Sequence, residues 1–266
     1  MTDLSYLVLD TSPGSLFKTS VLVTGEREAV VVDAGFTRAD GHRIAAAVLD
    51  SGRTLTTVLV TAGDPDFYFG AEVLADAFPD ARFLAPADVI AHVAESYRGK
   101  LAAWAHLGAN LPTRLVELEP FEGTVQLEGA TLELRRAEGL GDRGWYVVEP
   151  ERRALVGGVL LFDGLHVWTA DSPTPERRAA WLTALDDLEA LDPTFVVAGH
   201  RVADSPTDAS AIRHTRDYLR RFEEIVASSP DAAQAEARLL ESYPHAGLEL
   251  AASLGTKVAK GEMTWG

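Results

Sequence analysis

The chain has 266 residues, with 24 Lys+Arg against 40 Asp+Glu and a formal net charge of −16. Its apolar content of 47% supports one large core or two small ones and excludes disorder as the main state. The absence of Cys excludes disulfides, thiolate zinc sites, iron–sulfur clusters and a cysteine nucleophile, so any metal must sit on His, Asp or Glu. The acidic balance argues against nucleic acid or an anionic membrane as partner. No segment reads as a signal peptide, and none approaches the roughly 18–20 apolar residues needed to span a bilayer, so a soluble, cytoplasmic protein is expected. Only four basic residues are Lys (Lys18, Lys100, Lys257, Lys260). With so much Ala, Arg and Asp this reads as coding bias, and Arg counts carry little functional meaning.

In chain order, Tyr6–Asp10, Ser20–Thr24 and Ala29–Asp33 are short apolar runs. The last two, joined across Gly25, predict an antiparallel hairpin. Asp40–Asp50 has helical spacing at Ile44, Ala47 and Val48, with Gly52 placed as the stop. Thr57–Thr61 predicts a buried strand ending in a polar turn; a helix over Gly70–Ala77 and a strand over Arg82–Ala85 complete a β-α-β unit. Asp88–Leu107 predicts a longer helix through the stripe Val89, Val93, Tyr97, Leu101 and Trp104. Strands follow at Leu115–Leu118, Thr124–Leu127, Thr131–Arg135, Gly144–Glu149 and Ala154–Gly157, then a helix over Thr174–Leu191 and a strand at Phe195–Ala198. Two batches of strands, each ending in helices, predict a four-layer αββα sandwich with two sheets packed face to face. From Thr207 the chain reads as helical, over Asp208–Ser228, Asp231–Tyr243 and about Leu248–Lys260. With no Gly/Ser linker, residues 207–266 are expected as a helical extension packed on the same domain as residues 1–206.

The turn after the fourth strand reads Thr61-Ala-Gly-Asp-Pro-Asp-Phe-Tyr-Phe-Gly70. It resembles the metal-binding turn of the metallo-β-lactamase-fold hydrolases, Thr-His-x-His-x-Asp-His followed by Gly and a helix. Val32-Asp33-Ala34-Gly35 is similar to the family's Asp-x-Gly, Ala137–Asp142 to its Gly-His turn, Ala154–Gly158 to its Gly-Asp strand end, and Val196–His200 to its final Gly-His. The fragments occur in the family's order and span about residues 5 to 205. The resemblance implies the αββα fold, and the helical tail is similar to one branch of the family.

Position by position, the resemblance places Ala62, Asp64, Asp66, Phe67, Leu140, Gly158 and His200 where the family has its metal ligands. Asp66 and His200 survive, both in one half of the two-metal site, and Asp64 is an oxygen donor in the other. Ala, Phe, Leu and Gly offer no side-chain ligand. The expected cofactor is therefore none, with one weak divalent ion on Asp64, Asp66 and His200 left as an alternative.

A cleft at the strand ends would receive Asp64, Asp66, Asp142 and His200. Crowded carboxylates with an imidazole opposite suit acid–base chemistry without metal. In the plainer reading, Asp64 and Asp66 cap the following helix. His166, in Phe162-Asp163-Gly164-Leu165-His166-Val167-Trp168, is a second acid–base candidate or a partly buried structural His. Tyr68, Phe67, Trp145 and Trp168 could form an aromatic wall for a ligand or simply fill volume. Arg201 could receive an anionic substrate group. Tyr97 and Trp104 read as packing, His42, His92, His106, His214 and His245 as surface residues, and Arg177-Arg178 as a solvated helix face. Val156-Gly157-Gly158-Val159 lacks the Lys and spacing of a P-loop, and no Gly-x-Ser-x-Gly elbow exists.

The functional expectation is an enzyme acting on a small organic molecule as a lyase, cyclase, isomerase or hydrolase, since proton transfer and elimination lose least without a Lewis acid. Asp66 and His200 form its central pair, with Asp64 assisting and His166 or Asp142 behind them. The alternatives are a non-catalytic ligand-binding protein and a single-metal hydrolase. A homodimer and a role in secondary metabolism are both compatible with the sequence.

Overall fold

The computed structural model describes residues 4–265. β1 (Ser5–Asp10), β2 (Thr19–Thr24) and β3 (Glu28–Val32) form an antiparallel meander. α1 (Arg38–Ser51) starts at a capping box in which Thr37 and Asp40 satisfy each other's backbone N–H groups, and stops at left-handed Gly52. Next come β4 (Thr54–Leu59), the one-turn α2 (Pro65–Tyr68), α3 (Ala71–Ala77), β5 (Arg82–Ala85), α4 (Ala87–Ala103) and β6 (Glu119–Pro120). The second half contains β7 (Gly123–Leu127), β8 (Ala130–Arg136), β9 (Trp145–Glu149), β10 (Ala154–Val156), β11 (Phe162–Asp163), α5 (Pro175–Ala190), β12 (Phe195–Val196) and β13 (His200–Arg201). α6 (Ser210–Ser228), α7 (Ala232–Ser242) and α8 (Glu249–Ala259) follow.

One sheet has the order β1-β2-β3-β4-β5-β6, a second β12-β10-β9-β8-β7, and β11 pairs separately with β13. β2, β3, β9 and β10 are buried along nearly their whole length rather than on alternate residues. That pattern belongs to strands covered by a sheet on one face and helices on the other. β8 alternates buried and half-buried residues, as a strand with one open face does. This is the αββα sandwich with a helical C-terminal part. α6 buries Ile212, Leu219, Phe222 and Ile225 on one stripe, and its Thr215 hydroxyl accepts from the Phe162 N–H of β11 (2.9 Å). Among the described residues, no helix is long and apolar enough to cross a membrane.

Two sequence expectations change, and three short elements are new. The helix over 88–107 ends at Ala103 and continues as a 3-10 turn over Ala105–Asn110, broken at Gly108 with φ 55° and ψ −125°. Leu115–Leu118 forms no strand: Val116 and Leu118 bury their side chains while the backbone joins no ladder until β6. The two-residue strands β11 and β13 and the single turn α2 are too short to leave any periodicity in the sequence.

Candidate functional site

Strand ends converge on one cluster. Asp33 follows β3, Thr61 and the Asp64–Asp66 turn follow β4, Gly158 follows β10, and His200 opens β13. Thr61 ties three of them together. Its N–H and hydroxyl donate to Asp33 Oδ1 (3.0 and 2.7 Å), and its hydroxyl oxygen accepts from the Gly158 N–H (2.8 Å). Gly199 lets β13 approach, because a Cβ there would stand 2.0 Å from the Gly158 carbonyl oxygen.

His200 is held on three sides. Its ring stacks on Phe162 at 5.0 Å and 9°, meets Phe67 edge-on at 6.0 Å, and its Nδ1 lies 3.0 Å from the Leu16 carbonyl oxygen. A carbonyl can only accept, so Nδ1 carries the proton and Nε2 of the neutral ring keeps its lone pair. That Nε2 faces Asp66 Oδ2 at 3.3 Å, both side chains being about 6–7% exposed. Burial, then the charge of Asp64, raises Asp66 to about 7 against the opposing Lys18 ammonium. Burial, then Lys18, lowers His200 to about 3. Between about pH 3 and about pH 7 the pair thus holds one proton, on the carboxyl side. An acid O–H directed at Nε2 satisfies Asp66 Oδ2, which has no ordinary hydrogen-bond donor.

Beneath the pair lies Lys18, with no exposed surface. Its ammonium donates to the Thr19 carbonyl (2.5 Å) and Asp33 Oδ2 (3.0 Å) and sits 4.1 Å from the centre of the Phe67 ring. Toward the surface, Asp64 is ion-paired with Arg143, and Lys100 lies 3.4 Å from it. Burial pushes Asp64 up, but Arg143, Lys100 and His92 together outweigh it and bring the carboxyl to about 2. Arg143 also reaches Asp171 (3.1 Å), whose other oxygen accepts from the Trp265 indole N–H (2.9 Å). Lys100 donates to the Gly63 carbonyl (2.7 Å) and lies 3.0 Å from Nε2 of His92, whose Nδ1 pairs with Asp142. A cavity of about 100 Å³ opens beside this layer, walled by Leu140, Asp142, Arg143, Asp171, Arg177 and Trp181.

Of the groups expected from sequence, Asp66 and His200 come together, with Phe67 and Tyr68 beside them, while the Asp64 carboxylate turns to Arg143 and Lys100. Phe67 and Tyr68 are buried as core, Tyr68 packing edge-on to Phe69 at 5.1 Å. Asp64 precedes α2 but makes no capping bond with its side chain, which is turned to Arg143 and Lys100. Asp142 belongs to the cavity wall and touches the network through His92. His166 is placed elsewhere: it is fully buried, with Nδ1 3.1 Å from the Tyr218 hydroxyl and the ring edge-on to Tyr218 and Tyr243. Burial lowers it to about 4. Trp145 is no open wall, since its indole N–H donates to Asp88 Oδ1 (2.9 Å) under the guanidinium of Arg136. Trp168 meets Trp265 at 5.7 Å. Arg201 is committed to Asp10 by two bonds of 2.7 and 2.9 Å and to the Ser205 carbonyl (2.9 Å), leaving it no anion-binding posture. His92 and His214 are not bare surface residues, since His214 Nε2 lies 2.8 Å from the Leu165 carbonyl oxygen. Arg178 is 2% exposed, paired with Glu223 and donating to the Ser172 carbonyl (2.7 Å).

Sequence reasoning missed Lys18, Thr61, Lys100, Arg143 and Asp171 as site residues. One signal was available for Lys18: a charged side chain among Leu16, Phe17 and Val21, immediately before a strand buried on both faces. Thr61 opens the turn that resembles the family motif, whereas the contacts of Lys100, Arg143 and Asp171 are tertiary and leave no local trace.

Two facing sheets with outer helices and a site at the strand ends define the metallo-β-lactamase class of fold. The model of the metallo-beta-lactamase superfamily matches residues 13–200, and the chain belongs to that superfamily. A search of the curated proteins gave no match. Among solved structures, a metallo-beta-lactamase family protein from Thermus thermophilus is 19% identical with a TM-score of 0.67, the match covering 96% of this chain and 91% of that one. A beta-lactamase domain protein from Burkholderia ambifaria is 19% identical with a TM-score of 0.63, over 97% and 84%. A metallo-beta-lactamase from Pontibacter korlensis is 17% identical with a TM-score of 0.53, over 81% and 99%. At these identities the likeness concerns the fold.

The superfamily normally binds zinc, and the residues here do not fit a metal pair. Ala62 and Phe67 are fully buried and offer no lone pair. Gly158 has φ +78°, and a Cβ there would lie 2.3 Å from the Trp145 carbonyl oxygen, so a bridging carboxylate could not stand at that position without moving β9. Asp64 is engaged by two cations and does not converge with Asp66 and His200. Among the described residues no three His, Asp or Glu side chains gather to hold an ion.

Proposed function

We propose that this chain is a metal-independent member of the superfamily that performs acid–base chemistry on a small organic molecule, as a lyase, cyclase, isomerase or hydrolase. The observation that carries the reading is the Asp66–His200 pair, 3.3 Å apart, with its proton on the carboxyl and a lone pair on Nε2. Asp66 is the proton donor and Nε2 of His200 the acceptor. A substrate group inserted between them exchanges one proton for another with no net charge left in a buried site. Asp64 keeps its charge under Arg143 and raises Asp66 by repulsion. The test is turnover of a panel of small activated carbonyl and β-elimination substrates in deuterated solvent, followed by NMR. Asp66→Asn and His200→Ala are each expected to lower any turnover about 10²–10⁴-fold. Unchanged turnover in both variants would remove the proposal.

One observation favours a second reading, a ligand-binding protein without turnover. Neither Asp66 nor His200 lines the cavity of about 100 Å³ beside the cationic layer, whereas Asp142, Arg143 and Asp171 do. If no substrate of the panel turns over while a member binds equally well to wild type, Asp66→Asn and His200→Ala, the binding reading holds instead.

A further inference from the structure

We propose that the chain's own cations occupy both halves of the superfamily's two-metal site: the Lys18 ammonium beside Asp33, Phe67 and the Asp66–His200 pair, and the Arg143 guanidinium with Lys100 against Asp64. The first half is built for an ammonium. Lys18 Nζ has an acceptor in the Thr19 carbonyl at 2.5 Å, a carboxylate in Asp33 at 3.0 Å and the face of Phe67 at 4.1 Å. Zinc needs three or four lone pairs at about 2.0–2.3 Å. An ammonium brings its own hydrogens and needs only acceptors around it. It also gains from an aromatic face, which a metal ion cannot use as a ligand in place of a nitrogen. Phe67, at a position where the family motif has His, is thus the partner that suits Lys18, and its loss of ligand chemistry has a local reason.

The second half follows the same logic with a planar cation. Arg143 bridges Asp64 and Asp171, and Lys100 adds a second cation contact to Asp64 while fixed to the Gly63 carbonyl. A guanidinium spans two carboxylates that a single ion would have to draw together. Lys18 and Lys100 are each tethered to a backbone carbonyl and Arg143 to two carboxylates, so the site keeps its positive charge without taking up an ion from solution. Burial of Lys18 with no exposed surface demands such pairing, because an unpaired charge there would be strongly unfavourable.

The assignment agrees with the metal-independent part of the proposed function but does not depend on turnover, since it is read from ion stoichiometry and thermal stability. Chelator-stripped wild-type protein, titrated calorimetrically with Zn²⁺ and with Mn²⁺, is expected to take up no stoichiometric ion, and its melting temperature to stay unchanged. Lys18→Ala is expected to melt about 10 °C lower. n-Propylammonium, which replaces the deleted atoms, should restore most of that loss with saturable dependence, while neutral n-propanol should not. If Lys18→Ala does not fold alone, refolding in n-propylammonium is expected to return a cooperative melt. Ethylguanidinium should act on Arg143→Ala in the same way. One or two ions tightly bound per wild-type chain, with a raised melting temperature, would overturn both this assignment and the metal-independent reading. Propylammonium no better than propanol, a Lys18→Met chain as stable as wild type, or no ethylguanidinium response in Arg143→Ala would overturn the assignment alone.

Discussion

Asp66 and His200 exchange a proton on folding. In the unfolded chain a carboxyl titrates near about 3.9 and an imidazole near about 6.5. The raised value of Asp66 contributes stability that is complete below roughly pH 4 and lost as pH rises toward about 7. The lowered value of His200 contributes stability that is complete above roughly pH 6.5 and lost as pH falls toward about 3. Between roughly pH 4 and 6.5 the two slopes cancel, because folded and unfolded pairs each hold one proton. It sits on Asp66 in the fold and on His200 in the open chain. Carbon-13 NMR should therefore give Asp66 a midpoint near 7 while the His200 ring stays neutral down to about 3. The stability difference between wild type and an Asp66→Asn, His200→Gln double variant should be flat across the window. An Asp66 midpoint below about 5 would contradict the shared proton. The two residues were legible in the sequence through the Asp-containing turn and the final Gly-His. Their opposite shifts were not, since those arise from burial, with the charge of Asp64 adding to the rise of Asp66 and that of Lys18 adding to the fall of His200.

At the scale of elements, the segment after α8 matters more than its length suggests. It carries Trp265 to Asp171 (2.9 Å) and against Trp168 (5.7 Å), beside the cavity that Arg143 and Asp171 wall. Asp171 in turn holds Arg143, so a terminal aromatic residue is coupled to Asp64 through two side chains. Trp265, 38% exposed, is expected to contribute less than about 1 kcal/mol to global stability. Trp265→Ala should nonetheless speed amide exchange in residues 139–144, the loop that carries Arg143, while leaving β2 and β3 protected. Equal exchange in that loop would show that the contact does not order the cavity wall. Nothing in the tail's sequence marked this contact. By contrast, α1 was readable to within two residues at its start, because its apolar spacing and the terminal Gly52 are local signals. Leu115–Leu118 misled for the opposite reason: an apolar run records burial, and burial without a neighbouring strand is still only a loop.

For the whole molecule, the helical tail is part of the core. Tyr218, Leu219, Phe222 and Ile225 are fully buried, and Phe222 lies under the buried guanidinium of Arg178 at 5.3 Å. The loop after β11 is tied to the tail by a His166 N–H bond to the Gly247 carbonyl (2.9 Å) and a Gly247 N–H bond to the Gly164 carbonyl (3.0 Å). A chain ending at residue 206 would expose that apolar face and strand Arg178 without Glu223. It is expected to lose its cooperative calorimetric transition and to bind a hydrophobic dye, and a sharp melt near the wild-type temperature would show that residues 1–206 fold alone.

The sequence by itself determined the superfamily, the order of most strands and helices, and that Ala62, Phe67, Leu140 and Gly158 carry no side-chain lone pair. Those features are local: period, caps, turns and residue types at the ends of strands. It also showed only four lysines among 24 basic residues, and two of the four, Lys18 and Lys100, turn out to lie in the site. Only the tertiary structure decided that they are there, that Arg143 joins them, and that Arg201 and His166 are occupied elsewhere. Charged side chains are long, and the carboxylate partners of Lys18, Lys100, Arg143 and Arg201 lie between 15 and 191 positions away along the chain. Which cation meets which carboxylate depends on how the sheets bring the loops together, and no stretch of sequence records it.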